Sequence, residues 1–328
     1  MANASTSGPR ILIVGAGAVG QVFGYHLARA GAAVTYFVRE RYVAELGAGL
    51  TLYAVGAADE RREFSDYQVV SRPAQVAAGG FQQVWVCVNS ASLRGPWLSE
   101  LLAAAPEALL VAPLPSQSDR EYLLGHVAEA RLVQCVVAFL AYTSPLAGET
   151  RAEPGIAFWF PPLVACGFWG GDQVASRGAA RLLKAGGCPA RYQEHLVRDA
   201  SLGSALLMSL LGALEGVGFS FSAFRADKVR VSLSKRAADE ALRVVAQRLG
   251  CAVPLRFRAV NQGLSYRVAT SLAPRFTPFD LERYWRYHFT KVSAQTHLVL
   301  RGYTRDAAEA GLPHAALDEL VGQLPGRG

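Results

Sequence analysis

The chain is short of charge, of asparagine and of paired cysteines, and each shortage excludes something. Charged residues make up 18% of its 328 residues against 51% hydrophobic ones, the reverse of the balance that keeps a chain disordered. That length and composition suit about two domains, each with its own core. The five cysteines, Cys87, Cys135, Cys166, Cys188 and Cys251, are odd in number and contain no CxxC pair. They therefore predict neither a disulfide framework nor a thiolate metal site, but reduced, buried thiols in a cytoplasmic protein. No His or Cys cluster has metal-ligand spacing, and no GxSxG, HExxH or Walker pattern occurs, so the expectation is no metal and no hydrolase of those types. The opening residues lack the apolar core of a signal peptide.

The surplus of +7 is carried mostly by single arginines spread along the chain. The denser stretch from Arg225 to Arg236 is interrupted by Asp227. Without a basic patch or a reading motif, nucleic acid is excluded as a partner, and a phosphate-bearing small molecule suits the surplus better. Between Asp199 and Arg225 the only charge is Glu215. Serines and glycines interrupt that stretch, which falls short of the roughly 18 consecutive apolar residues of a membrane span. It predicts a helix buried on all sides by protein, and no membrane partner.

What the sequence does contain is an alternation of strand and helix signals. Arg10 to Val14 and Ala33 to Val38 are short apolar runs, and Val19 to Ala30 between them has helical spacing and ends at Gly31. Phe81 to Val88 and Ala108 to Val111 are further strands, with a helix over Leu98 to Ala104. The alternation predicts an α/β fold, an N-terminal Rossmann parallel sheet with helices on both faces. Aromatic, proline-punctuated stretches from Leu132 to Tyr142 and Ile156 to Trp169 read as strands extending or closing that sheet. Beyond about Tyr192 the pattern is helical, including Ala237 to Leu249 and a long helix from Phe279 to Ala310. The expected division is a nucleotide-binding domain over 1–190 and an all-helical substrate and dimerisation domain over 191–328.

Gly15-Ala16-Gly17-Ala18-Val19-Gly20 lies directly after a strand and opens a helix. In such a turn the first glycine permits the bend, the second admits a pyrophosphate, and the third lets the helix pack on the strand. The helix N-terminus then offers free N–H groups to phosphate. The second strand ends in Tyr36-Phe37-Val38-Arg39-Glu40-Arg41. An acidic residue there selects NAD, whereas an arginine accommodates the 2′-phosphate of NADP. Arg39 closes the strand and Glu40 sits one position late, so NADPH is the expected cofactor, with Gly15, Gly17, Ala18, Val19, Gly20 and Arg39 holding it.

The segment ILIVGAGAVGQVFGYHLARAGAAVTYFVR resembles the opening of the ketopantoate reductase family, enzymes that reduce 2-dehydropantoate with NADPH. The likeness recurs at Pro154 to Gly171 and at Gln295 to Pro313. The resemblance implies a Rossmann domain, a helical domain, and an active site in the cleft between them. It also implies a catalytic lysine on the first long helix of the second domain, asparagines on that helix, and a glutamate on a later one. This sequence departs from that pattern. No lysine lies between Lys184 and Lys228, and the lysine position falls on Asp199 or Ser201. The asparagines are only Asn3, Asn89 and Asn261. Gln295 takes the glutamate position, Asn89 takes that of a lysine near the cofactor, and Pro113-Leu114-Pro115-Ser116 replaces an Asn-Gly loop.

Hydride delivery to a ketone leaves an alkoxide that needs a proton donor. His195 and Asp199, four residues apart on a predicted helix, are one candidate pair. Tyr284, His288 and Lys291 form a second stripe, and Gln295 is a third candidate; such stripes also occur as simple packing. The sequence thus predicts an NADPH-dependent oxidoreductase, homodimeric, acting on a different small carbonyl or imine substrate. A non-catalytic NADPH-binding paralogue and a non-redox enzyme retaining the nucleotide are the alternatives.

Overall fold

The structure is a computed structural model that describes residues 8–56, 60–114, 117–151 and 153–325. The chain divides into two compact units, Met1–Val197 and Arg198–Gly328. In the first unit the order opens with β1 (Arg10–Val14), α1 (Ala18–Arg29), β2 (Ala33–Phe37) and α2 (Val43–Gly47). Then come β3 (Leu50–Ala54), β4 (Glu60–Phe64), β5 (Gln68–Val70), α3 (Pro73–Ala77) and β6 (Gln83–Val86). These are followed by α4 (Ser90–Leu93), α5 (Trp97–Ala104), β7 (Leu109–Ala112), α6 (Gln117–Leu124) and β8 (Leu132–Val136). The unit ends with β9 (Leu140–Ser144), β10 (Gly155–Trp159), β11 (Cys166–Gly170), α7 (Gln173–Ala185) and β12 (Ala190–Tyr192).

Eight strands form the main sheet in the order β12-β11-β8-β7-β6-β1-β2-β5. All neighbours are parallel except β8 and β11. Side chains of β1 alternate between two cores, as a strand covered on both faces requires. Ile11 and Ile13 join Val22, Phe23 and Leu27 of α1 and Ala179, Ala180 and Leu183 of α7. Leu12 and Val14 join Leu98, Leu101 and Leu102 of α5 and Leu123 of α6. Phe23 meets Trp85 and Phe139 edge-on, with ring centroids 5.1 and 5.3 Å apart.

The middle of the chain differs from the sequence expectation. Residues 132–169 do not only extend the main sheet: β8 and β11 join it, while β9 and β10 combine with β3 and β4 in a separate sheet of order β4-β3-β10-β9. The partners of β10 lie far away in sequence, with Ile156 opposite Leu52, so periodicity along one strand could not reveal them. β12 pairs in parallel with β11 and so carries the first unit past residue 190. Cys135, Cys166 and Cys188 are free and buried in this unit, as their apolar surroundings predict.

The second unit holds α8 (Leu196–Glu215), which begins at its boundary, then α9 (Phe221–Ala226), α10 (Lys228–Arg248) and α11 (Leu255–Val260). They are followed by α12 (Gly263–Phe276), α13 (Leu281–Lys291), α14 (Ser293–Glu309) and α15 (Ala315–Gly322). Two expectations are corrected here. The helix foreseen from Phe279 to Ala310 is two helices, interrupted at Val292 with φ −110° and ψ 16°; Val292 and Thr290, two residues before it, are β-branched and lose rotamer freedom inside a helix. And α8, long and apolar enough to cross a membrane, is not buried on every side: Leu202, Ala205 and Leu211 are buried, but Leu207 stays 38% exposed.

The first unit also buries a histidine. His26 of α1 has Nδ1 2.8 Å from the carbonyl oxygen of Gly186, while Nε2 is buried without a partner against Phe158 and Phe160. Burial pushes its pKa below the ordinary 6.5, and Arg29 adds to that, while the Gly186 carbonyl works against it. The ring is thus neutral, with Nδ1–H donating to Gly186. On unfolding it gains affinity for a proton, so its contribution to stability is complete above pH 6.5 and is lost as pH falls below it. The thermal midpoint of the first unit is expected to drop between pH 6.5 and about 5, and His26→Gln should flatten part of that slope. An unchanged slope in the variant would refute the assignment.

Candidate functional site

The strand order switches sides at β1: β2 lies to one side of it and β6 to the other, both parallel to it. Ligands of open α/β sheets bind beyond the carboxyl ends of the strands at such a point, and the glycine-rich turn lies there. Gly15 takes φ +92°, and a Cβ on it would stand 2.9 Å from the Cys87 carbonyl oxygen and 2.9 Å from a Val88 methyl. Its N–H donates to the Phe37 carbonyl at 3.0 Å, which ties the turn to the end of β2. A Cβ on Gly20 would lie 2.1 Å from the Gly15 carbonyl oxygen, so that contact sets how closely α1 packs on β1. A Cβ on Gly17 would meet nothing within 4 Å. Of the three glycines, Gly17 is the one whose missing side chain leaves open space.

Gly17 is the N-cap of α1, no side chain caps it, and the first turn of the helix holds no acidic residue. The N–H groups of Ala18, Val19 and Gly20 therefore have no partner within the helix and face an uncapped, partially positive terminus. Gln21 Nε2 donates to the Ala16 carbonyl at 2.8 Å and fixes the turn from behind. This cradle fits a pyrophosphate.

At the end of β2, Arg39 is exposed and begins a short 3₁₀ turn over Glu40–Tyr42. The Glu40 carboxylate accepts a hydrogen bond from Ser71 Oγ, just past β5. Arg41 donates to the Tyr42 hydroxyl at 2.9 Å and stacks over its ring. Among the described residues the Arg39 guanidinium makes no hydrogen bond or ion pair, while its backbone carbonyl accepts from the Tyr42 N–H at 2.9 Å. The cation at the strand end is open, and the neighbouring carboxylate is occupied.

The ends of β6 and β7 carry residues that sequence reasoning passed over. Asn89 caps α4, its Oδ1 accepting from the Ser92 N–H at 2.8 Å, so only its amide NH₂ is left for a ligand. Next to it the carboxylate of Asp119, 1% exposed, accepts from Ser90 Oγ at 2.6 Å and from Arg94 Nη1 at 2.6 Å. Arg94 also donates to the Ser90 carbonyl at 2.7 Å and lies 5.3 Å over the Tyr122 ring. A fixed cation thus stands on the loop after β6, five positions beyond Asn89. No local motif announces it, because Arg94 and Asp119 meet only when parallel strands bring their loops together. Pro113 and Leu114 follow β7, whereas Pro115 and Ser116 lie outside the described residues.

The candidates for proton transfer have separate local settings. His195 lies in an exposed turn just ahead of α8 and not on it, so helical spacing does not pair it with Asp199. The reason is that β12 continues to Tyr192 and leaves only a short turn before the helix. Asp199 instead binds Arg256 at 2.6 Å and Arg198 at 3.1 Å. Tyr284 is buried and stacks on His288 with ring centroids 5.5 Å apart. Burial holds the Tyr284 hydroxyl above its ordinary range and, with Lys291, holds His288 below its own. Trp285 and Phe289 on the same helix contact Phe221 and Phe219, so α13 joins an aromatic cluster, and packing accounts for its stripe. Gln295 is exposed in the first turn of α14. A different pair is present: His297 Nε2 lies 2.8 Å from the Glu215 carboxylate, joining α14 to the end of α8. The signal was Glu215, the only charge between Asp199 and Arg225, which burial obliges to find a partner. Among the described residues no group of His, Cys, Asp and Glu is arranged to hold a metal.

The different surroundings of the glycines separate their roles. Gly20→Ala should loosen the first unit, because the added methyl meets backbone that cannot move aside. Gly17→Ala should leave the melting temperature nearly unchanged yet weaken nucleotide binding at least roughly tenfold, read by fluorescence titration with NADPH. Equal loss of stability in the two variants would contradict this division.

Residues 11–104 match the family described as ketopantoate reductase PanE/ApbA. No protein with a curated description matches the chain. Among solved structures, a ternary structure of D-mandelate dehydrogenase with NADH and anilino(oxo)acetate superposes with a TM-score of 0.71 at 13% identity, covering 96% of each chain. A PanE/ApbA family ketopantoate reductase from Ralstonia eutropha JMP134 gives 0.70 at 18% identity, covering 95% of this chain and 96% of its own. A dimeric ketopantoate reductase from Staphylococcus aureus gives 0.62 at 14% identity, with coverage of 95% and 96%. The chain therefore has the ketopantoate reductase fold over nearly its whole length, and its segment 11–104 carries that family's sequence pattern.

Proposed function

We propose that the protein is an NADPH-dependent oxidoreductase that reduces a small carbonyl or imine substrate other than ketopantoate. The observation that carries this reading is the pairing of an open, uncapped glycine turn with an unpartnered Arg39 at the end of β2. Gly15, Gly17 and Gly20 shape the turn, and the amides of Ala18, Val19 and Gly20 would hold the pyrophosphate. Arg39 would take the 2′-phosphate, since Glu40 is bound by Ser71. Asn89 would offer its amide donors to the cofactor, and Arg94, held by the Asp119 carboxylate, would stand beside it. When bound, the nicotinamide supplies the hydride. Structures of NADH-containing and ketopantoate-reducing relatives with this fold support a nicotinamide cofactor, and Arg39 supports its phosphorylated form.

The absent lysine, asparagines and glutamate support a changed substrate. His195, Asp199, Tyr284, His288 and Gln295 remain the side chains available to donate a proton, with Asp199 engaged by arginines and Tyr284 and His288 occupied in packing. That engagement also favours a second reading, an NADPH-binding protein without turnover. A homodimer in the cytoplasm is the proposed setting, in keeping with the dimeric relative, and sedimentation at micromolar concentration would test it.

Absorbance of NADPH at 340 nm, followed across a panel of 2-oxo acids, aldehydes and imines, separates the two readings. Consumption with at least one class supports the reductase, and tight binding without consumption supports the binding protein. Arg39→Ala should remove charge-assisted bonds worth about 1.5–3 kcal/mol and so weaken NADPH binding roughly ten- to a hundredfold, leaving NADH binding little changed. An equal effect on both cofactors would refute the role of Arg39.

A further inference from the structure

The second unit contains a concavity that neither the cofactor nor the candidate proton donors use. It has a volume of about 410 Å³ and is lined by Arg225, Arg267, Val268, Ser271 and Leu272. Arg225 lies in the last turn of α9, and the remaining residues lie on α12, the helix against which α9 packs. The space is within the usual range of small-molecule sites.

Its charge is uncompensated. Between Glu240 and Asp280 the chain contains no acidic residue, and the carboxylates near the cavity along the chain are committed elsewhere. Asp227 accepts from the Arg230 backbone at 2.9 Å and pairs with its guanidinium. Glu282 accepts from the Phe221 backbone, and Asp280 accepts from the Arg283 backbone at 2.9 Å. Among the described residues neither Arg225 nor Arg267 has an acidic partner.

The Arg225 guanidinium is fixed all the same: Nη1 donates to the Thr270 carbonyl at 2.7 Å, which keeps the rest of the fork available at the cavity wall. A third cation, Arg275, is tied to the same turn through the Ser271 carbonyl at 2.6 Å. Two like charges converging on one cavity repel each other unless an anion lies between them. Arginine forks match carboxylate and phosphate geometry.

The other wall is apolar. Val268 and Leu272 belong to a stripe at successive helical turns, Leu264, Val268, Leu272 and Phe276, exposed by 73%, 45%, 43% and 74%. An anion held by the arginines would place its remaining atoms along that stripe. We propose that this cavity binds a small organic anion, a carboxylate or phosphate monoester with an apolar body. Arg225 and Arg267 take the anionic head, and Val268 and Leu272 contact the body. The proposal does not depend on the cofactor assignment, because every residue it uses lies in the second unit.

Calorimetric titration of the full chain with phenylacetate and hexyl phosphate tests it, with benzyl alcohol, hexanol and inorganic phosphate as controls. The two organic anions should bind at least roughly tenfold tighter than the alcohols and than inorganic phosphate. A preference between them distinguishes a carboxylate from a phosphate ligand. Arg267→Gln, at an exposed position, should fold normally and lose that advantage; Arg225→Gln should do the same if it folds. Alcohols binding as well as the anions, inorganic phosphate binding as tightly as hexyl phosphate, no binding of either organic anion at millimolar concentration, or full affinity in Arg267→Gln would each overturn the proposal. A parallel NADPH titration keeps the cofactor question separate.

Discussion

Everything in the first unit is arranged around one close approach, in which the backbone of α1 at Gly20 passes the Gly15 carbonyl oxygen at a distance no side chain would tolerate. That approach lets the helix start directly above the end of β1, so the turn between them stays short and its amides point outward. It also fixes the depth at which Val22, Phe23 and Leu27 enter the core. Tyr36 reinforces it from the second strand, its hydroxyl donating to the Gly20 carbonyl at 3.2 Å. The same hydroxyl leaves no room for a side chain at Gly24, where a Cβ would fall 2.0 Å away. Packing and ligand geometry are thus one constraint: what brings helix and strand together also empties the space above Gly17.

The second theme is where the charges are spent. Carboxylates in this protein are mostly engaged by nearby donors: Glu40 by Ser71, Asp119 by Ser90 and Arg94, Asp199 by two arginines, Glu215 by His297. With acids used in this way, the surplus of +7 emerges as arginines without partners at particular places. Arg39 is open at the end of β2, and Arg225 and Arg267 are open around one cavity. Unpaired cations at defined concave or terminal positions suit the recognition of anions, because no existing ion pair has to be broken before the ligand binds.

Much of this was legible in the sequence where the signal was local. The strand, glycine turn, helix and second strand over Arg10 to Phe37 follow from apolar period and glycine spacing, and the structure places them within a residue or so of expectation. That Arg39 stands just past the second strand could be read from its position alone. What depended on distant partners was hidden. The separate sheet of β3, β4, β9 and β10 needs pairings such as Ile156 with Leu52, and the Arg94–Asp119 pair needs two loops from neighbouring strands. The pairing of His195 with Asp199 failed for a local reason, since it assumed a helix beginning before Leu196 when β12 and its turn occupy that stretch. The cavity of Arg225 and Arg267 was visible only as a general arginine surplus until α9 and α12 brought the two side chains to one place.

The turn at Gly15–Gly20 together with Arg39 is the proposed site for the phosphorylated nicotinamide cofactor. The direct measurement is calorimetric titration of the intact chain with NADPH and with NADH under the same low-salt conditions. Saturable one-to-one binding of NADPH is expected, with NADH at least roughly tenfold weaker, the difference made by charge-assisted bonds to one phosphate. No binding of NADPH, or equal affinity for both cofactors, would contradict it.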